Sequence, residues 1–92
     1  MNVSKKFLVK FPVGLHARPA ANFVKIAASQ KKNNILIENL SKNTTKVNAK
    51  SFTSVLSIAV EQNNEILITI ETENGKEAME QFTIFFEAEP AE

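Results

Sequence analysis

Apolar residues are distributed in two ways along this 92-residue chain. Short runs rich in Ile, Leu, Val and Phe predict strands, whereas apolar residues that return every three or four positions predict helices buried along one face. Four strands are predicted, at Lys6–Phe11, Ile35–Ile37, Thr44–Ala49 and Ile66–Ile70. Three helices are predicted: from about Ala17 to about Ser29, from Phe52 to Ala59, and after Asn74 with a buried stripe of Ala78, Met79, Phe82, Phe85 and Phe86.

Each predicted helix begins at a residue that suits a helix start. Pro19 lacks an amide hydrogen and is therefore comfortable only in a first turn. Ser51 is predicted to cap the second helix. Asn74 is predicted to cap the third, with Glu77 three residues on in a variant of the capping box. These signals place the helix starts more firmly than apolar spacing alone.

The loops are less uniform in what they predict. The Gln62–Asn64 turn is expected to hold an asparagine with a positive φ. The connection Asn39–Asn43 has no glycine and is longer than a two-residue hairpin turn, so its conformation cannot be predicted from local rules.

The order strand-helix-strand-strand-helix-strand-helix predicts an α+β fold. We expect a two-layer open-faced sandwich, in which a four-stranded antiparallel sheet carries three helices on one face. Ninety-two residues suffice for one small core, so residues 1–92 are predicted to form a single domain.

Composition excludes several classes of function. The chain has no cysteine and one histidine, so disulfides, thiolate chemistry and multi-histidine metal sites are excluded, and no metal or cofactor is expected. A net charge near +1 disfavours binding to nucleic acid. No apolar run approaches a membrane span and the N-terminus lacks a signal-peptide core, so a cytoplasmic protein without membrane insertion is expected.

The single histidine, His16, lies at the predicted start of the first helix. Unpaired backbone amides and the positive end of the helix dipole gather there. A phosphate at this position would be held by those amides and by the guanidinium of Arg18. A lone histidine is more often an ordinary surface or core residue, but Arg18 and Pro19 beside it favour a phosphate site. The pattern therefore predicts that His16 carries a phosphoryl group.

Two segments carry a resemblance to a known family. Gly14–Ala20, continued by Phe23-Val24-Lys25, resembles the active-site signature of HPr, the histidine-containing phosphocarrier of the sugar phosphotransferase system. Val47–Ser51 and the following Phe52–Ile58 resemble the second signature of that family, around its regulatory serine. Element order and length agree with the family from about Lys5 to Phe86.

The resemblance implies a phosphocarrier that is not itself an enzyme. Phospho-enzyme I, charged from phosphoenolpyruvate, would donate to Nδ1 of His16, and the phosphoryl group would pass to the IIA component of a sugar permease. Arg18 would stabilise the phosphate, and Ser51 would be the site of HPr kinase/phosphorylase. The implied partner-binding residues are Lys25, Lys50, Phe52 and Leu56. Of the last two, we expect one to face solvent. A monomer is expected.

Two other functions stay open. A regulatory HPr-like protein would act through phospho-Ser51 and a transcriptional regulator, although such a protein need not keep His16. A small RNA-binding module is disfavoured by the near-zero net charge and by the lack of an aromatic pair on a strand face.

Overall fold

Four antiparallel strands form one sheet, and three helices lie on one of its faces, in the computed structural model, which describes residues 2–87. The elements are β1 (Asn2–Leu8), α1 (Ala17–Ser29), β2 (Asn34–Asn39), β3 (Val47–Asn48), α2 (Phe52–Ser57), β4 (Glu65–Glu71) and α3 (Gly75–Glu87). The strand order in the sheet is β1-β4-β2-β3. The predicted element order and the open-faced sandwich are confirmed.

The central strand β4 shows how the sheet divides into a buried and an open face. Ile66, Ile68 and Ile70 are fully buried, while Glu65 and Glu71 are exposed. This alternation is typical of a sheet covered on one side only. Phenylalanine rings from three elements complete the core, with centroid separations of 5.0 Å between Phe7 and Phe86 and 5.3 Å between Phe23 and Phe82.

The first strand lies earlier in the chain than predicted. It runs from Asn2 to Leu8, not from Lys6 to Phe11, because it pairs with β4 over seven residue pairs that end at Leu8 opposite Glu65. Beyond Leu8 the chain lies opposite residues that precede β4, which begins at Glu65. Phe11 instead packs its ring against that of Phe85, 5.1 Å away. Its apolar character therefore serves the α3 interface and not the sheet.

The third strand is shorter than predicted. Only Val47 and Asn48 of the predicted Thr44–Ala49 form a strand, paired with Ile37 and Leu36. Thr44 instead closes the loop at the end of β2, because its Oγ1 accepts a hydrogen bond from the amide of Asn39 at 2.9 Å and its own amide donates to the carbonyl of Asn39 at 3.1 Å. The intervening loop contains a 3-10 turn, Leu40–Lys42, that closes with Asn43 in the left-handed region.

The helices agree better with prediction. The bounds of α1 are those predicted, and α3 begins directly after Asn74. Phe85 is only partly buried, whereas the other four residues of its predicted stripe are buried. The second helix ends at Ser57 and does not reach Ala59, whose φ of 49° turns the chain away. Asn63, with φ of 72°, supplies the expected turn.

Across residues 2–87 the structure contains no helix that is both long and apolar enough to cross a membrane.

Candidate functional site

The loop before α1 is anchored to the chain that follows α2. The amide of Gly14 donates to the carbonyl of Phe11 at 2.9 Å, and the amide of Leu15 donates to the carbonyl of Val60 at 3.0 Å. The side chain of Leu15 is fully buried. Gly14 has a φ of +67°, and a Cβ there would lie 2.2 Å from the Val60 oxygen. Only glycine fits this position, and the two hydrogen bonds hold the loop as far as Leu15, the residue before His16.

His16 is the N-cap of α1, with φ −129° and ψ 160°. Its side chain is half-buried and accepts no hydrogen bond from the first turn of the helix. The next residue, Ala17, has a φ of 51°, a region that residues with a Cβ seldom occupy. The predicted position of His16 at the helix start is therefore confirmed, and its ring does not cap the helix.

Arg18 follows in the first turn of α1 and is exposed. Within residues 2–87 the structure gives neither the His16 nor the Arg18 side chain a hydrogen-bond or ion-pair partner. The first turn also contains no acidic residue. A helix start without a capping side chain presents its first amides to an anion, and the helix dipole favours negative charge there. The chemistry available at this point is the binding of an anionic group on or beside the His16 ring.

An ion pair that the sequence did not suggest lies next to this loop. Lys42 Nζ is 2.9 Å from Glu61 Oε1 and donates to the carbonyl of Ala59 at 2.8 Å. The hydrogen bond from Lys42 and its positive charge lower the pKa of the Glu61 carboxyl, and the charge of His16 lowers that pKa further. The only sequence feature that bears on this pair is the Asn39–Asn43 connection, which is longer than a two-residue hairpin turn.

Ser51 stands at the N-cap of α2, as predicted. Its Oγ accepts a hydrogen bond from the amide of Ser54 at 3.3 Å. The preceding lysine contacts the C-terminal end of α1, whereas the chain after α2 contacts the loop before His16. The two helices therefore run in opposite directions. Ser51 lies at the start of α2, whereas the chain that follows α2 reaches the loop before His16.

The four residues that were expected to bind partner proteins occupy different environments. Lys50 Nζ donates to the carbonyl of Gln30 at 2.8 Å, so this lysine covers the C-terminal end of α1. Lys25 is exposed on α1. Phe52 is 41% exposed, and Leu56 is half-buried, which agrees with the expectation that one of these two faces solvent.

Comparisons with known proteins place this site in a family. Residues 3–88 match a family model described as the PTS HPr component phosphorylation site. The chain is 40% identical over 87 residues to the HPr-like protein Crh of Halalkalibacterium halodurans, an alignment that covers 95% of this chain and 99% of that protein.

Solved structures agree with this assignment. The phosphocarrier protein HPr of Bacillus anthracis superposes with a TM-score of 0.81 at 35% identity, covering 94% of this chain and 98% of that one. The crystal structure of Crh from Bacillus subtilis, described as a domain-swapped dimer, gives a TM-score of 0.68 at 33% identity and covers 98% and 99% of the two chains. The family model and the matching structures show that this chain is a member of the HPr family of phosphocarrier proteins.

Proposed function

We propose that this protein carries phosphoryl groups in a sugar phosphotransferase system. Nδ1 of neutral His16 attacks the phosphorus of phospho-enzyme I, so that a new P–N bond forms at His16 while the bond to the donor breaks. The IIA component of a sugar permease then attacks the same phosphorus, and His16 leaves with its ring intact. The protein supplies the nucleophile, the charge of Arg18 and the amides of the α1 start.

The observation that carries this proposal is the setting of His16. A half-buried imidazole at an uncapped helix start, followed by an exposed arginine, suits a ring that gains and loses a dianion. A histidine that served as a helix cap would be expected to accept a hydrogen bond from an amide of the first helix turn. The family match supports the same role.

We propose that the partner proteins dock on the exposed side of α1 and α2. Phe52 presents an apolar ring to solvent, Leu56 is half-buried on the same helix, and Lys25 is exposed on α1. An exposed apolar ring on one helix and an exposed basic residue on the helix in contact with it suit an acidic protein surface. The ammonium of Lys50 already bonds to α1, so its aliphatic stem is what remains for a partner.

Label transfer tests the carrier function directly. Incubation with enzyme I and labelled phosphoenolpyruvate should place an acid-labile, base-stable label on His16. His16→Ala should take up no label while it keeps the thermal unfolding transition of the parent. Uptake by the alanine variant at the parent rate would refute the proposal.

A second candidate is a regulatory protein that acts through phospho-Ser51. Its support is the 40% identity to an HPr-like protein Crh, together with the position of Ser51 at the α2 cap. HPr kinase/phosphorylase with ATP would then modify Ser51, and the product would bind a transcriptional regulator. A protein that takes label on Ser51 from the kinase and none on His16 from enzyme I would favour this candidate over the carrier.

We propose further that the protein acts as a cytoplasmic monomer. Its edge strand β1 pairs with β4 of the same chain over seven residue pairs. Sedimentation of the protein at micromolar concentration should give the mass of one chain. A stable dimer mass would point instead to the exchange described for the Bacillus subtilis Crh structure.

A further inference from the structure

The 3-10 turn Leu40–Lys42 brings a cation to the loop that supports His16. Lys42 Nζ donates to the carbonyl of Ala59 at 2.8 Å and lies 2.9 Å from the carboxylate of Glu61. With two acceptors on separate residues, the ammonium is better restrained than in a single surface ion pair. Asn43, in the left-handed region, ends the 3-10 turn and returns the chain toward β3.

Glu61 lies against the backbone that leads into His16. A Cβ built on Gly14 would be 2.7 Å from the Glu61 Cα, and the neighbouring Val60 carbonyl accepts the amide of Leu15. Glu61 therefore flanks the chain within two residues of the histidine. A positive charge on the His16 ring, when the ring is protonated, also lowers the pKa of the Glu61 carboxyl, after the larger effects of Lys42. The carboxylate and the imidazole thus interact electrostatically.

From this arrangement we infer that the Lys42–Glu61 pair sets the lifetime of phosphohistidine at His16, an inference that rests on the function proposed above. The Glu61 carboxylate repels the phosphoryl dianion and favours its loss. Lys42 opposes this effect by neutralising and holding the carboxylate. Lys42 is a positioning residue that acts through Glu61, and Glu61 acts on His16 through its field alone.

The expected effects are modest because both side chains are partly solvated. The Glu61 side chain is 65% exposed and that of Lys42 36% exposed. Coulombic interactions between such partly solvated charges change a rate by about two- to five-fold and weaken with salt.

Chemical phosphorylation tests the inference without enzyme I. Potassium phosphoramidate transfers its phosphoryl group to a histidine ring nitrogen and releases ammonia. Hydrolysis then breaks the P–N bond as water attacks phosphorus, the ring keeps a proton, and inorganic phosphate leaves. ³¹P NMR follows this decay at His16 in low salt and in 1 M salt.

Glu61→Gln should lengthen the lifetime about two- to five-fold, and Lys42→Met should shorten it by a similar factor. Lys42→Arg should restore the parent lifetime, because it keeps the cation. In the Glu61→Gln background, Lys42→Met should change the lifetime less than about 1.5-fold. High salt should reduce all these differences.

Matched controls remove charge at the other end of the sheet. Glu73→Gln and Lys32→Met alter exposed residues beyond β4 and before β2, and should leave the lifetime unchanged. Equal effects from these controls would overturn the inference, as would a full effect of Lys42→Met when Glu61 is absent. Because phosphoramidate replaces the protein donor, the lifetimes decide the inference even if enzyme I fails to phosphorylate the protein. A His16 that accepts phosphate from neither source would overturn both proposals.

Discussion

Backbone conformation at single residues shapes the approach to His16. Gly14 and Ala17, on either side of the Leu15-His16 pair, both have positive φ, at +67° and 51°. Glycine tolerates this region without cost, whereas alanine incurs a penalty of about 1–2 kcal/mol. The buried Leu15 side chain and the bond to Val60 hold the strained alanine in place. The chain therefore bends on both sides of the Leu15-His16 pair as it enters α1, where His16 is half-buried.

Gly14→Ala should destabilise the protein by more than about 2 kcal/mol, because the new Cβ would meet the backbone oxygen of Val60 at 2.2 Å in a left-handed residue. Gly75→Ala is the matched control. Its Cβ would meet a side-chain methyl of Val3 at 2.6 Å, which can move. Urea unfolding should give a clearly smaller loss for Gly75→Ala. Equal losses of unfolding free energy would show that the backbone contact and the positive φ at Gly14 add nothing to the cost of the new Cβ.

Arg18→Ala should slow phosphoryl transfer to His16 about ten- to hundred-fold, since one charge-assisted hydrogen bond to phosphate contributes about 1.5–3 kcal/mol. The exposed arginine has no packing role to lose, so the unfolding midpoint should stay near that of the parent. Quenched-flow assays with labelled phospho-enzyme I measure the rate of phosphoryl transfer. Lys32→Ala is the control for loss of a distant charge. An unchanged rate would mean that the helix amides stabilise the phosphate without Arg18.

At the scale of elements, the two ends of α1 are treated differently. The C-terminal carbonyls of Gln30 and Lys31 accept hydrogen bonds from Lys50, at 2.8 and 3.5 Å. A cation at this end also suits the helix dipole. The N-terminal end receives no such protein partner from His16. The C-terminal end of the helix is therefore satisfied within the protein, whereas the N-terminal end is left open where the phosphate would bind.

The cap of α2 makes a prediction about Ser51. Ser51→Ala should lose about 0.5–2 kcal/mol of stability and still accept phosphate on His16 at the parent rate. Ser51→Asp should keep or raise the melting temperature, because an anion suits this helix start. Ser51→Asp should also weaken binding to enzyme I, because its charge stands beside the exposed Phe52.

The length of α2 indicates how that effect should arise. The six residues of α2, about 9 Å along the helix axis, separate Ser51 from the chain that supports the loop before His16, and the screening length at physiological salt is about 8 Å, so the direct effect of the aspartate on His16 should be small. A calorimetric titration should show weaker binding of enzyme I, while the rate at saturating enzyme I stays unchanged. Binding equal to that of the parent would place the docking surface elsewhere.

At the scale of the whole molecule, one buried asparagine joins three segments. Asn39, fully buried at the end of β2, donates from Nδ2 to the carbonyl of Ile58 at 3.1 Å and to Oδ1 of Asn64 at 3.0 Å. Asn64 Oδ1 also accepts the amide of Glu61 at 2.8 Å. The network therefore connects β2, the end of α2 and the turn that supports the loop before His16.

Asn39→Ala should cost about 2–4 kcal/mol, because the buried carbonyl of Ile58 and the partly buried Oδ1 of Asn64 lose their donor. Asn64→Ala should cost less, since that residue is half-buried and water can replace part of its bonding. Urea unfolding of both single variants and the double variant should show losses that are less than additive. Additive losses would show that the two side chains act independently.

The amino-acid sequence by itself determined what depends on neighbouring residues. The bounds of α1, the place of His16 before it and the Ser51 cap follow from Pro19, from helical spacing and from capping chemistry, all of which act within one turn. Only the tertiary structure decided features that depend on a partner far away in the chain. The position of β1 is set by the length of β4, and Lys42 reaches Glu61 only because the folded loop carries it there. Spacing along the chain contains no information about such pairs, since they are brought together by packing of the sheet and helices.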